Sequence, residues 1–212
     1  MFITLEGLDG SGKSTQLHLL REALAADGRE IVATREPGGT ELGELVRTLV
    51  LEGPDMTAWP EALLYAAARA QLVAEVVRPA LARGAVVISD RYIDSSLAYQ
   101  GVGRGLGVEQ VLELNLAVVG GLLPDRTFLL LVAATEADAR QGAHRDRIER
   151  EHLSFHQLVD DGFRQLAAAY PERIVALNGS LPPAELAAAI LAEVRRAEQG
   201  LPPASGAARA DA

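Results

Sequence analysis

The chain has 212 residues, about half of them apolar, no cysteine and a formal net charge of −9. That length suits one α/β domain with a sizeable core, and the missing cysteines exclude a disulfide framework and any thiolate metal site. The negative charge repels polyanions at long range, so a nucleic-acid partner is not expected.

The opening "MFITLEGL" has no basic n-region and does not read as a signal peptide. Its "FITL" is the first of five expected strands, followed by "EIVAT", "AVVISD", "TFLLLV" and "RIVAL". Between them run longer stretches with apolar residues at helical spacing, the alternation that builds a parallel sheet from βαβ units. The first, "STQLHLLREALAADG", stops at Gly28. A longer helix is expected over 59–81, with Pro60 in its first turn and Pro79 marking an exit or kink. Further helices are expected over 108–120, 154–170 and 183–198, and a disordered tail over 199–212, which is small, polar and rich in Pro and Gly. "VLELNLAVVGGLL" is interrupted by Glu113 and Asn115, and no uncharged apolar run reaches the roughly eighteen residues a membrane helix needs. The expectation is a cytoplasmic protein with no membrane partner.

"GLDGSGKS", Gly7 to Ser14, matches the phosphate-loop pattern and sits directly between the first strand and the first helix. In that context the glycines Gly7, Gly10 and Gly12, with Ser11, let backbone N–H groups converge on phosphate oxygens, and the helix start at Ser14 and Thr15 adds its positive end. Lys13 is the only lysine among 20 basic residues. A compact ammonium can follow the γ-phosphate inside a tight cradle, where a planar guanidinium cannot substitute for it. The Ser14 hydroxyl can ligate Mg²⁺, making ATP with Mg²⁺ the expected donor. GTPases need a base-reading NKxD element, and with no second lysine that class is removed.

"SDRYIDSSLAYQGVGR" follows the third strand, so Asp90 and Arg91 are expected at the carboxyl ends of the strands, facing the crevice that holds Lys13. Asp90 can organise the Mg²⁺ shell, and Arg91 can bridge donor and acceptor phosphates. In "TREPGGTELG", Arg35 is placed to clamp an acceptor phosphate, while Glu36 would suit a nucleoside kinase that needs a base for a hydroxyl acceptor.

Taken together, "EGLDGSGKSTQ", "TREPGGTELG", "LLYAAARAQ", "DRYIDSSLAYQG", "PDRTFLL" and "RDRIEREHLSFHQLVDDGF" resemble the thymidylate kinase family in order and spacing, to about Glu198. The resemblance implies a P-loop nucleoside monophosphate kinase fold over 1–198 with a mobile lid at about 141–153, transfer of the ATP γ-phosphoryl group to dTMP, and a homodimer. It implies that Asp9 contacts the sugar hydroxyl and that Arg35 and Arg91 hold the dTMP phosphate. Tyr65, Arg69, Ser95 and Gln100 would meet the base, and Tyr99 would crowd the 2′ position. Since the phosphate loop carries no arginine, the catalytic cation is expected from the lid, as Arg147 or Arg145; the plainer alternative is a solvated helix with Arg145–Glu149 and Arg147–Glu151 pairs. The chain departs from the family pattern at Leu131, at Asn178-Gly179 and in the Tyr65 hydroxyl. The competing readings are another nucleotide or nucleoside kinase, with Glu36 as base, and a nucleotide-binding regulator without chemistry.

Overall fold

A computed structural model describes residues 1–140, 142 and 145–204. Five strands, β1 (Phe2–Glu6), β2 (Ile31–Arg35), β3 (Val86–Asp90), β4 (Arg126–Leu131) and β5 (Ile174–Asn178), form one all-parallel sheet in the order β2-β3-β1-β4-β5. All five expected strands are present. β1, β3 and β4 are buried along nearly their whole length, which is why they read as continuous apolar runs rather than alternating ones.

Alternate residues feed two cores. Ile3, Leu5, Val86, Ile88, Phe128 and Leu130 pack with Leu20 and Leu24 of α1 (Lys13–Ala26) and with Leu186, Ile190 and Val194 of α9 (Pro183–Glu198). Phe2, Val87, Leu129 and Leu131 face the opposite layer. That layer holds α3 (Ala58–Leu72), α4 (Arg78–Ala82), α5 (Ile93–Ser96), α6 (Val108–Val119) and α8 (Leu153–Ala169). The first strand order reversal falls at β1, so the β1–α1 loop opens on the crevice between β1 and β3, where ligands bind in such sheets.

The helix expected over 59–81 follows one path but not one geometry: α3 passes into a π-helical turn, Val73–Val77, and then into α4. In a regular helix the Pro79 ring would collide with the carbonyl of Glu75, and the widened turn relieves that contact. Three helices lie where none was expected, α2 (Glu41–Glu52), α5 (Ile93–Ser96) and α7 (Ala134–Ala139). The α2 start is chemically marked: Thr40 Oγ1 accepts from Gly43 N at 3.0 Å, and Glu41 and Glu44 lie in the first turn. A second π-helical segment, Leu97–Gly103, continues α5 and carries Tyr99 and Gln100.

Of the tail expected from 199, residues to 204 fold back on the domain. Leu201 O accepts from Arg126, Pro202 O accepts from Arg196, and Ala204 N donates to Glu193. Residues 205–212, and residues 141, 143 and 144 of the expected lid, lie outside the described residues.

Candidate active site

The β1–α1 loop is shaped by residues only glycine satisfies. Gly10 has φ +85°, and a Cβ there would lie 2.3 Å from Ala137 O; Gly7 has φ +135° and would clash with Leu130 O at 2.5 Å. Loop and α7 are therefore in backbone contact. Lys13 Nζ donates to Gly7 O at 3.1 Å and Leu8 O at 2.8 Å and lies 3.9 Å from Asp9 Oδ1. Burial, then the Arg91 charge, lower its pKa. Ser14 Oγ donates to Asp90 Oδ2 at 2.9 Å, which brings together the two expected metal-handling residues.

A cavity of about 920 Å³ lies over this loop, lined by Gly10, Gly12, Lys13, Ser14, Thr15 and Asp90, with Arg35 and Arg140 at its edge. A second, of about 540 Å³, is lined by Tyr65, Arg69, Ser95, Tyr99 and Gln100. Asp9, Glu36, Arg47 and Arg91 line both. Gly7 and Ser11 shape the loop from beneath; Ser11 is fully buried.

Arg91 stands at the junction. Its φ is +74°, the one positive value at a non-glycine among the described residues. Three bonds enforce that backbone: Arg91 N to Leu5 O at 2.9 Å, Ser89 Oγ to Arg91 O at 2.7 Å, and Tyr92 N to Glu6 Oε1 at 2.7 Å. The guanidinium then donates to Asp9 Oδ1 at 2.6 Å, Ser95 Oγ at 2.9 Å and Tyr99 OH at 3.3 Å. Burial would raise the Asp9 pKa, but Arg91 and Lys13 outweigh it and hold the carboxyl well below the usual range. Glu6, fully buried, is pushed up to about 8 by desolvation and then by Asp94, against the hydrogen bond from Ser95.

Arg69 is 1% exposed. It donates to Glu36 Oε2 at 2.6 Å, Ser96 Oγ at 3.0 Å, Tyr92 O at 2.9 Å and Asn115 Oδ1, which uses four of its five N–H groups. Arg69 and Tyr65, four residues apart on α3, meet the same cavity as expected. Glu36 keeps Oε1 buried without a hydrogen bond, and desolvation raises its pKa to about 7 although Arg69 opposes this. Arg35 is more exposed than expected of a clamp and pairs with Glu44 at 3.1 Å.

The structure does not bring Arg145 or Arg147 to the phosphate loop. Arg145 pairs with Asp138 at 2.6 Å. Arg147 is buried, donating to Glu61 Oε2 at 2.7 Å and Val50 O at 2.9 Å, because the fully buried Glu61 carboxylate needs cationic partners. The alternative pairs with Glu149 and Glu151 do not form either: residues 147–150 are turns, and Glu151 pairs with Arg104 at 2.6 Å. A cation that lines the loop cavity from the end of α7 is Arg140, whose Nη1 donates to Gly179 O at 3.2 Å. Arg47 and Arg140 were not anticipated; Arg47 sits on α2 and Arg140 just after the short α7, two helices that were not expected.

A family model described as thymidylate kinase matches residues 5–190. The chain is 52% identical over 195 residues to a thymidylate kinase of Synechococcus sp. (strain JA-3-3Ab), covering 92% of this chain and 95% of that one. It is 48% identical over 210 residues to one from Desulforudis audaxviator, covering 97% and 95%. A crystal structure of thymidylate kinase from Ehrlichia chaffeensis superposes with a TM-score of 0.77 at 34% identity, covering 92% of this chain and 98% of that chain.

The Glu36 environment predicts a pH dependence. A carboxyl raised from 4.5 to about 7 gives its full contribution to stability below about pH 4.5, and that contribution is lost as pH rises through 7. Urea midpoints at pH 5 and pH 8 are expected to differ less for Glu36→Gln than for wild type; an equal difference contradicts the assignment.

Proposed function

The chain belongs to the thymidylate kinase family and transfers a phosphoryl group from ATP to dTMP, and we propose that the two cavities described above divide that work, the loop cavity holding ATP and the second cavity dTMP. The observation that carries this reading is the shared wall of Asp9, Glu36, Arg47 and Arg91, where a transferring phosphoryl group has to pass between donor and acceptor.

In the proposed division of roles, the loop N–H groups and Lys13 hold the β- and γ-phosphates, Lys13 exchanging loop carbonyls for phosphate oxygens. Arg91 bridges acceptor phosphate and migrating phosphoryl group, held in place beforehand by Asp9, Ser95 and Tyr99. Arg35 assists at the acceptor phosphate from the rim. Because dTMP presents an oxygen already ionised, no general base is required, and Glu36 is assigned to holding Arg69 through Oε2. Tyr65, Arg69, Ser95 and Gln100 enclose the base, Asp9 meets the sugar hydroxyl, and the Tyr99 ring limits space at the 2′ position. The lid cation is Arg140 in preference to Arg145 or Arg147, supported by its place in the loop cavity. Residues 1–198, with the lid at about 141–153, act as the catalytic unit.

Mg²⁺ is proposed with ATP. Among the described residues no cluster of three acidic, His or Cys side chains is set to hold a metal. The Ser14 hydroxyl and Asp90 carboxylate, 2.9 Å apart, are nevertheless the hard oxygen donors suited to an ion that keeps waters and phosphates as its other ligands. When bound, such an ion neutralises charge on the phosphates.

No helix among the described residues is long and apolar enough to cross a membrane. A homodimer is supported by apolar side chains left exposed: Leu42, Leu45 and Leu49 on α2, Trp59 and Leu63 on α3, and Val118 and Leu123 at and beyond α6. Light scattering is expected to give twice the 22.5 kDa chain mass, and a monomer mass at micromolar concentration refutes it.

The decisive assay is ADP release with Mg-ATP against dTMP, dUMP, dGMP, ribothymidine monophosphate and thymidine. Preference for dTMP is expected, with little activity on thymidine or the ribonucleotide; preference for thymidine would make Glu36 the base and undo the acceptor assignment. In the same assay Arg140→Met is expected to lower kcat by about tenfold or more, and an unchanged kcat would return the lid role to Arg145.

A further inference from the structure

Glu61, in the first turn of α3, is fully buried yet accepts four hydrogen bonds. Gln100 Nε2 donates to Oε1 at 3.0 Å, Arg104 donates to both oxygens at 3.2 Å, and Arg147 Nη2 donates to Oε2 at 2.7 Å. Hydrogen bonds from Arg104, Gln100 and Arg147 overcome its burial and lower its pKa, so it is ionised at neutral pH. An ionised carboxylate has lone pairs and no proton to donate. The Gln100 amide therefore has to turn its NH₂ end to Glu61, which leaves Oε1 as the end available to the acceptor cavity that Gln100 lines. Arg69, on the same cavity, has one N–H left after its four protein acceptors.

We propose that Glu61 is a specificity-determining positioning residue: by fixing the Gln100 amide, it makes the pocket present an acceptor beside the Arg69 donor. That pair matches a 4-oxopyrimidine, whose ring N–H donates and whose adjacent carbonyl accepts. It opposes a 4-aminopyrimidine, whose ring nitrogen accepts and whose amino group donates. The same carboxylate binds Arg147, so the discrimination is set partly from the lid side of the domain. The inference rests on the acceptor-site reading above, and the variants below separate the two.

The test is the ratio of kcat/KM for dTMP to that for dCMP. Glu61→Gln can accept or donate toward Gln100, so the amide is free to reverse; the ratio is expected to fall by about tenfold or more, with KM for ATP within about twofold of wild type. In a Gln100→Ala background, adding Glu61→Gln is expected to change the ratio by less than about twofold. A ratio unchanged by Gln100→Ala itself overturns the acceptor-site assignment of Gln100. A ratio lowered by Gln100→Ala but not by Glu61→Gln overturns the role of Glu61 alone, as does a purely structural effect in which activity on both nucleotides falls in proportion. Should Glu61→Gln fail to fold, the wild-type protein decides: one ¹⁵N-resolved Gln100 side-chain proton is expected to stay protected from exchange with and without dTMP, and fast exchange of both overturns the proposal.

Discussion

The site depends on one guanidinium held on a strained backbone. Arg91 occupies left-handed φ/ψ space, which costs a residue with a side chain roughly 1–3 kcal/mol, and the sheet supplies the restraint. Its N–H joins the β1 edge at Leu5, and the Glu6 carboxyl group fixes the next N–H, at Tyr92. The consequence is directional. The chain turns sharply after β3, so that Arg91 points across the crevice at Asp9 instead of continuing along the strand, and both cavities come to share it.

Around that point the molecule solves a recurring problem, how to keep charge in a low-dielectric interior. Arg69, Arg147 and Arg91 are each nearly buried, and each is matched by a carboxylate and further acceptors. Removing one partner of such a pair strands the other at a cost of about 3–5 kcal/mol, so these clusters hold rotamers firmly. A second network, Arg173 with Asp94 and Thr127, ties β4 and β5 to α5 beneath the site. The stiffness of the second cavity follows from those pairs, because Ser95, Ser96 and Gln100 take their orientation from them.

Much of this was legible in the sequence because it is local. The five strands are short apolar runs, and the phosphate loop is a contiguous string whose spacing implies its geometry. Asp90 beside Ser14 followed from strand-end topology alone. What was not legible depends on contacts between residues far apart in the chain. Arg147 reads as a catalytic cation of the expected lid until Glu61, 86 positions away, proves to be buried beside it. Glu61 itself looks like an ordinary first-turn acid. Arg47 was missed although α2 is marked twice over, by Leu42, Leu45, Val46, Leu49 and Val50 at helical spacing and by Thr40 with acidic residues after it at the helix start. The π-helical turns at 73–77 and 97–103 arise from proline geometry and tertiary packing, which periodicity does not report.

The most direct test of the central claim is the single-turnover rate of phosphoryl transfer in Arg91→Lys, which keeps the charge and removes the planar fork. If Arg91 bridges the two sites through fixed, multiply bonded geometry, the rate falls by about a hundredfold or more while ATP affinity stays near that of wild type. A rate within a few fold of wild type would mean that charge alone suffices there, and that the strained backbone serves the fold rather than the reaction.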